Sequence, residues 1–120
     1  LPPTMQLNVI DTTENTISLR WHQKMHQQML SQTPVTSYSI HYQKEGEQKW
    51  KDVPIVPSVS PSPDPNNALF NSYSYVLENL DPSLHYKIYV TAINRFGIGD
   101  PSNVVVARTV SGKWKQLWSR

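Results

Sequence analysis

From Leu80 to Asn94 the chain reads Leu80-Asp81-Pro82-Ser83-Leu84-His85-Tyr86-Lys87-Ile88-Tyr89-Val90-Thr91-Ala92-Ile93-Asn94. Its second half alternates: Tyr86, Ile88, Val90 and Ala92 fall on one side, His85, Lys87, Tyr89 and Thr91 on the other. A period of two with one apolar side predicts a strand that buries one face of a sheet. Pro82 closes whatever precedes it, and Leu80 ahead of it is an apolar anchor. Tyr86, at the head of the strand, is placed to bond its hydroxyl back to that turn, the corner device of β-sandwiches. The run ends in Asn94-Arg95-Phe96-Gly97-Ile98-Gly99-Asp100-Pro101-Ser102, a glycine-punctuated turn that sends the chain back antiparallel.

The same period recurs along the chain. Leu7 and Val9 suit a first strand, and Asp11 to Asn15 reads as a turn. Ile17, Leu19 and Trp21 share one face of a second strand, with the tryptophan bringing the largest apolar surface to the centre. Val35 to Lys44 places Tyr38, Ile40 and Tyr42 inward and Ser39, His41 and Gln43 outward. Glu45-Gly46-Glu47 then turns toward Trp50, Val53 and Ile55. Tyr73, Tyr75 and Leu77 alternate before the central stretch. Asn103 to Val110 closes the set, with Val105 and Ala107 inward. Seven short strands without helical periodicity predict an all-β fold, a two-sheet antiparallel sandwich.

Two segments interrupt this rhythm. His22 to Pro34 is long and lacks glycine; it reads as a polar loop, although His22 and His26, like Met25 and Met29, stand at the spacing of a helical turn. Val56 to Asn71 holds Pro57, Pro61, Pro63 and Pro65 among serines and reads as an exposed loop or extended arm, since proline cannot donate to a ladder.

A chain of 120 residues is one domain. It has no cysteine, which excludes a disulfide framework, thiolate metal sites and a cysteine nucleophile. It opens on Leu1-Pro2-Pro3 with no apolar signal core, as expected of a piece of a longer protein. Up to Val110 the charges nearly cancel, so there is no clustered basic face of the kind that binds nucleic acid. Lys113, Lys115 and Arg120 make the last ten residues basic.

Pro2 and Pro3, Trp21, the run Tyr38 to Tyr42, Trp50, Leu80 with Pro82 and Tyr86, the turn through Asn94, Gly97, Gly99, Pro101 and Ser102, and Thr109 together resemble a fibronectin type III domain. The resemblance covers residues 2 to 110. It implies an immunoglobulin-like sandwich with sheets A-B-E and G-F-C-C′ and a structural core including Trp21, Tyr38, Ile40, Leu80, Pro82, Tyr86, Ile88 and Val90. On this reading residues 1–4 are a linker, 5–110 the domain and 111–120 a tail or second linker. The two long segments depart from the pattern and are the parts most particular to this chain. Domains of this kind work in tandem in cell-surface receptors, adhesion molecules and matrix proteins, where they space and bind other proteins.

No Gly-x-Ser-x-Gly elbow or phosphate-binding glycine loop occurs, and His41 and His85 are outward strand positions. His22 and His26 lack an acidic partner for a metal. The expectation is a non-catalytic module with no cofactor. Arg-Gly-Asp and Asn-x-Ser/Thr are absent, as is the paired Trp-Ser motif of cytokine receptors, which removes three ways of marking a binding or glycosylated face.

Three surfaces remain for binding. In the tail, Lys113, Trp114, Lys115, Leu117 and Trp118 would as a helix put Trp114, Leu117 and Trp118 on one side, suited to a partner's pocket or to lipid headgroups. Equally, the tail reads as a linker whose tryptophans pack on this or the next domain. On the outer G-F-C face, Tyr89 and Ile93 would lie near Val104 and Val106, either as an interface or as ordinary β-branched sheet surface. The long loops are the third. The expected partners are other proteins, including neighbouring domains of the parent chain or a second copy, in an extracellular setting. A mechanical spacer in an intracellular muscle-type or matrix array, or an accessory domain of an enzyme, is the alternative.

Overall fold

The computed structural model describes residues 5–24, 35–55, 62–64, 67–97 and 99–112. Nine strands run through them: β1 (Met5–Thr12), β2 (Ile17–Lys24), β3 (Val35–Lys44), β4 (Lys51–Ile55), β5 (Ser62–Asp64), β6 (Asn67–Leu77), β7 (His85–Asn94), β8 (Gly99–Pro101) and β9 (Val105–Arg108). One sheet has the order β1-β2-β6-β5; the other runs β4-β3-β7, with β8 and β9 both paired to β7. All pairings are antiparallel. This is the two-sheet sandwich expected of the alternating pattern, with β1, β2 and β6 facing β4, β3, β7 and β9.

The period of two in β7 becomes its burial pattern: Tyr86, Ile88, Val90 and Ala92 are buried, and Lys87 is exposed. Facing them from the first sheet are Met5, Leu7, Ile17, Leu19 and Trp21, all essentially inaccessible. The Trp21 ring stacks on Tyr73 at 5.9 Å and meets the edge of Tyr38 at 5.5 Å. Tyr38 and Tyr73 close the triangle at 4.6 Å. The Tyr38 hydroxyl donates to Gln23 Oε1, and burial pushes its pKa far above the ordinary tyrosine range. Ile40 is fully buried and Tyr42 half-buried.

The corner before β7 is tied by side chains. The Asp81 N–H donates to the Tyr86 hydroxyl oxygen at 2.8 Å. Thr109, 1 % exposed, donates its hydroxyl to the Asp81 carbonyl at 2.6 Å and accepts from the Leu84 N–H at 3.2 Å. Ser83 in this turn has φ 62°, the left-handed region. Leu80 is buried, but Pro82 is exposed, so it does not belong to the core. Its ring shapes the turn through a fixed φ.

Three further expectations need correction. The proline-rich segment is not wholly a loop: β5 pairs with β6, and β6 begins at Asn67, well before Tyr73. Pro63 is tolerated there because β5 is an edge strand, where one side needs no ladder donor. β2 extends through His22 to Lys24, so His22 is in a strand, and its Nδ1 lies 2.9 Å from Ser72 Oγ. The turn after β7 contains β8, which folds back onto β7 through Thr91↔Pro101 and Ile93↔Gly99. Gly99 is required by that approach, since a Cβ there would lie 1.8 Å from the Ala92 carbonyl oxygen.

One side of the sandwich is stitched shut by an amide. The Leu7 N–H donates to Asn103 Oδ1 at 2.7 Å, and Asn103 Nδ2 donates to the Leu7 carbonyl at 3.0 Å. The Val110 N–H donates to the Thr13 carbonyl at 2.9 Å. Leu7 in β1 and Thr13 just after it are thus tied to the residues that enter and leave β9.

Candidate functional site

The outer face of the second sheet is built by the residues of β3 and β7 that alternate away from the core. His41 and Tyr89 are directly opposite in the β3–β7 register, and their rings stack at 4.6 Å with 18° between planes. Trp50, just before β4, meets Tyr89 edge-on at 5.2 Å. The antiparallel pairing also puts Asp52 opposite His41. His41 Nδ1 lies 2.6 Å from Asp52 Oδ1, and Nε2 lies 2.6 Å from Thr91 Oγ1.

These contacts assign the tautomer by elimination. A carboxylate only accepts, so Nδ1 carries the proton, and in the neutral ring Nε2 accepts from the Thr91 hydroxyl. A protonated ring would turn that hydroxyl toward the Ser39 carbonyl, 3.4 Å away. Carboxylate, imidazole and hydroxyl in series is also the connectivity of an activated nucleophile. Here it lies on the flat of a sheet. Two clefts among the described residues are lined by other side chains, one by Glu45, His85, Lys87 and Val106, the other by Lys44, Lys49, Lys51 and Asp81. What the contacts do supply is rigidity: Trp50, Tyr89 and His41 are held in fixed orientations on an accessible surface, the kind of aromatic anchor that interfaces use.

Of the apolar residues expected on this face, Tyr89 and Ile93 are half-buried, whereas Val104 and Val106 are 58 % and 59 % exposed. Val106 stands opposite Lys87, and Ile93 opposite Gly99. The structure therefore gathers Val104 and Val106 at the β9 edge and Tyr89 toward β3. Ile93 is set apart by the Thr91–Pro101 pair. Lys113, Trp114, Lys115, Leu117 and Trp118, residues 1–4, the segment 25–34 and residues 56–61 lie outside the described residues. Sequence reading missed the roles of His41, Asp52 and Thr91. Their one signal was outward parity on neighbouring strands, which acquires meaning only once the register is known.

At the lower end of the face, two acidic groups are held as anions. The His85 backbone N–H, at 2.9 Å, and then its ring hold the Glu45 carboxyl below its usual pKa. The Lys44 ammonium, 2.8 Å from Asp81, does the same for that carboxyl and raises its own pKa in return. Glu45 lies opposite His85 because it continues the β3–β7 register, its N–H donating to the His85 carbonyl at 2.8 Å, and Gly46, with φ 87°, then turns the chain toward β4. Carboxyls depressed in the fold contribute stability above their unfolded pKa values and lose it as pH falls through the folded ones. Lys44 contributes below its unfolded value and loses it as pH rises through its raised one. Stability from these contacts is therefore complete between about pH 5 and 10. In urea unfolding from pH 7 down to about pH 2, a range spanning both carboxyls, the midpoint should fall less for the Glu45→Gln, Asp81→Asn double variant than for the wild type. Parallel profiles would show that these contacts carry no acid sensitivity.

Comparison with known proteins agrees with this architecture. A family model described as "Fibronectin type III domain" matches residues 1–108. The human cell adhesion molecule DSCAM is 29 % identical over 116 residues, which is 97 % of this chain but 5 % of that relative's length. Among solved structures, the FN1–FN3 domains of chicken CNTN1 superpose with a TM-score of 0.66 at 26 % identity, covering 92 % of this chain and 32 % of theirs. A human contactin 1 fn3 domain gives 0.61 at 27 %, covering 93 % and 79 %. The FN5 domain of Drosophila Lar, at 21 % identity, shares the fold with a TM-score of 0.60, covering 93 % and 100 %. Strand alternation, the corner formed by Tyr86 and the match over nearly the whole chain converge: this chain belongs to the fibronectin type III family.

Proposed function

We propose that this chain is a non-catalytic protein-interaction and spacing module of a larger extracellular adhesion or signalling receptor. The observation that carries the proposal is the correspondence of 97 % of the chain to a segment of a cell adhesion molecule. The outer face suits that work, because it offers rigid aromatic side chains on an open sheet. The tail contributes a second contact through Trp114 and Trp118, and the unit that binds is the domain from 5 to 110. The partners are proteins, among them neighbouring domains of the same parent chain.

Compartment separates this reading from a spacer in an intracellular array. Intact cells that express the parent protein would be treated with a membrane-impermeant biotin ester, and the labelled fraction probed with an antibody raised against these 120 residues. Labelling without permeabilisation is the expected result. Labelling only after permeabilisation would overturn the receptor reading in favour of the intracellular array.

A further inference from the structure

Charged groups on the outer face of the second sheet are unevenly matched. Its acids are engaged: Asp52 by His41 Nδ1 at 2.6 Å, and Glu45 by the His85 N–H at 2.9 Å and its ring at 2.8 Å. Its bases are not. Among the described residues neither Lys87 nor Arg108 makes a hydrogen bond or an ion pair, and Arg108 reaches Glu45 only through its field. Lys87 lies opposite Val106 and Arg108 opposite His85, so the two cations are diagonal neighbours on one face, about 7–8 Å apart. Like charges at that spacing repel, and an anion between them is within reach of both. Round the edge of the sheet the pattern repeats. Asp81 and Glu47 are held by Lys44, at 2.8 and 3.7 Å, while Lys49 and Lys51 stand exposed without an ion pair. Uncommitted charge at this end of the sandwich is therefore positive. Apolar side chains lie among these cations: Val106 and Trp50 are exposed, and Tyr89 is half-buried. Val106 also lines the cleft it shares with Glu45, His85 and Lys87, which has a volume of about 300 Å³, room for a side chain from outside.

We propose that this end of the outer face binds an acidic segment of a partner protein, seating a carboxylate between Lys87 and Arg108 and an apolar side chain on Val106. Charge complementarity selects the occupant. The same face of a second copy would bring the same positive surplus to the contact and be repelled. A sulfated glycan carries negative charge too, but its charges are dense and its surface is polar, which leaves the exposed valine unmatched. Here the cations are set apart around apolar side chains, an arrangement that fits a polypeptide in which acidic and apolar residues alternate. Lys51 pairs with the inward Tyr42, so it projects to the other side of the edge strand from the outer face. Lys49 and Lys51 therefore act at a distance, adding a field of the same sign that draws an acidic chain in. Because Lys87 and Arg108 are exposed, the contact is weak and sensitive to salt. The inference deepens the interaction-module reading and rests on it.

The isotope-labelled chain would be titrated with three probes while its amide resonances are followed by NMR. They are a short acetylated peptide alternating glutamate and leucine, its glutamine counterpart, and a heparin-derived oligosaccharide. The glutamate peptide should shift the amides of Lys87, Val106 and Arg108 with a Kd of about 1 mM or below. Its binding should weaken between about 0.01 M and 0.1 M salt, as the Debye length falls from about 30 to about 10 Å. The glutamine peptide should leave those resonances in place. Lys87→Gln with Arg108→Gln should lower the affinity about tenfold, a loss of about 1.4 kcal/mol, with an unchanged urea midpoint. Arg20→Gln with Arg95→Gln removes the same net charge away from the site and should keep the affinity. No shift with the glutamate peptide, equal shifts with the glutamine peptide, or equal losses in the two double variants would overturn the proposal. Shifts seen only with the oligosaccharide would overturn it too, by assigning the site to a glycan. Surface labelling of the parent depends on none of these results, so this inference and the receptor reading fail separately.

Discussion

Replacing Trp21 with alanine is expected to destabilise the domain by about 3–5 kcal/mol, the range for emptying a large aromatic from a packed core. The ring is fully buried and contacts Tyr73 and Tyr38 from two directions. Those tyrosines come from different sheets, so the cavity would open between the layers, where neither sheet can relax into it alone. Because native domains hold only about 5–15 kcal/mol in all, the variant should be partly unfolded at 37 °C. Its urea midpoint, followed by far-UV circular dichroism, should drop by a large fraction of the wild-type value. Trp21→Phe should cost less, since it keeps one aromatic ring and removes an Nε1–H that has no partner among the described residues. Equal losses for both variants would show that the indole's full volume, beyond a single ring, holds the layers together.

The second large effect belongs to the corner ahead of β7. Tyr86→Phe deletes one oxygen, yet it leaves the Asp81 N–H without its acceptor in a part-buried turn, a loss of about 1–3 kcal/mol. Thr109→Val should act similarly, because its hydroxyl serves the Asp81 carbonyl and the Leu84 N–H at once. The two side chains hold adjacent groups of one turn, so the double variant should cost less than the sum of the single ones. Urea midpoints of the four proteins measure this. Strict additivity would mean that the two bonds hold the turn independently.

How much of this was legible in the sequence follows from the range of each interaction. Alternation in β2, β3 and β7 is written residue by residue, so which side faces inward could be read directly, and Tyr86 could be linked to a turn five residues away. β5 was not legible, because the rule that keeps proline out of ladders hides the exception made at an edge. The cluster of His41 with Asp52 and Thr91 depends on two strand registers, and the second of its bonds joins residues 50 apart. A local reading could see only that each side chain points outward. Asn103 was legible only as the start of the closing strand; its partner lies 96 positions away. The valines of β9 were visible as a run. Outward parity at 104 and 106 was legible with it, and both side chains stand more than half exposed.

The clasp between Leu7 and Asn103 also has a mechanical side. Moving from Leu7 to Thr13 along the first strand and its exit corresponds to moving from Asn103 to Val110 along the last, so the two segments run in the same direction. Tension applied at the two termini would therefore slide these segments past each other and strain both attachment points together. Links stretched side by side share a load that links opened one by one must each bear alone, so a tether threaded through this domain would give way at high force.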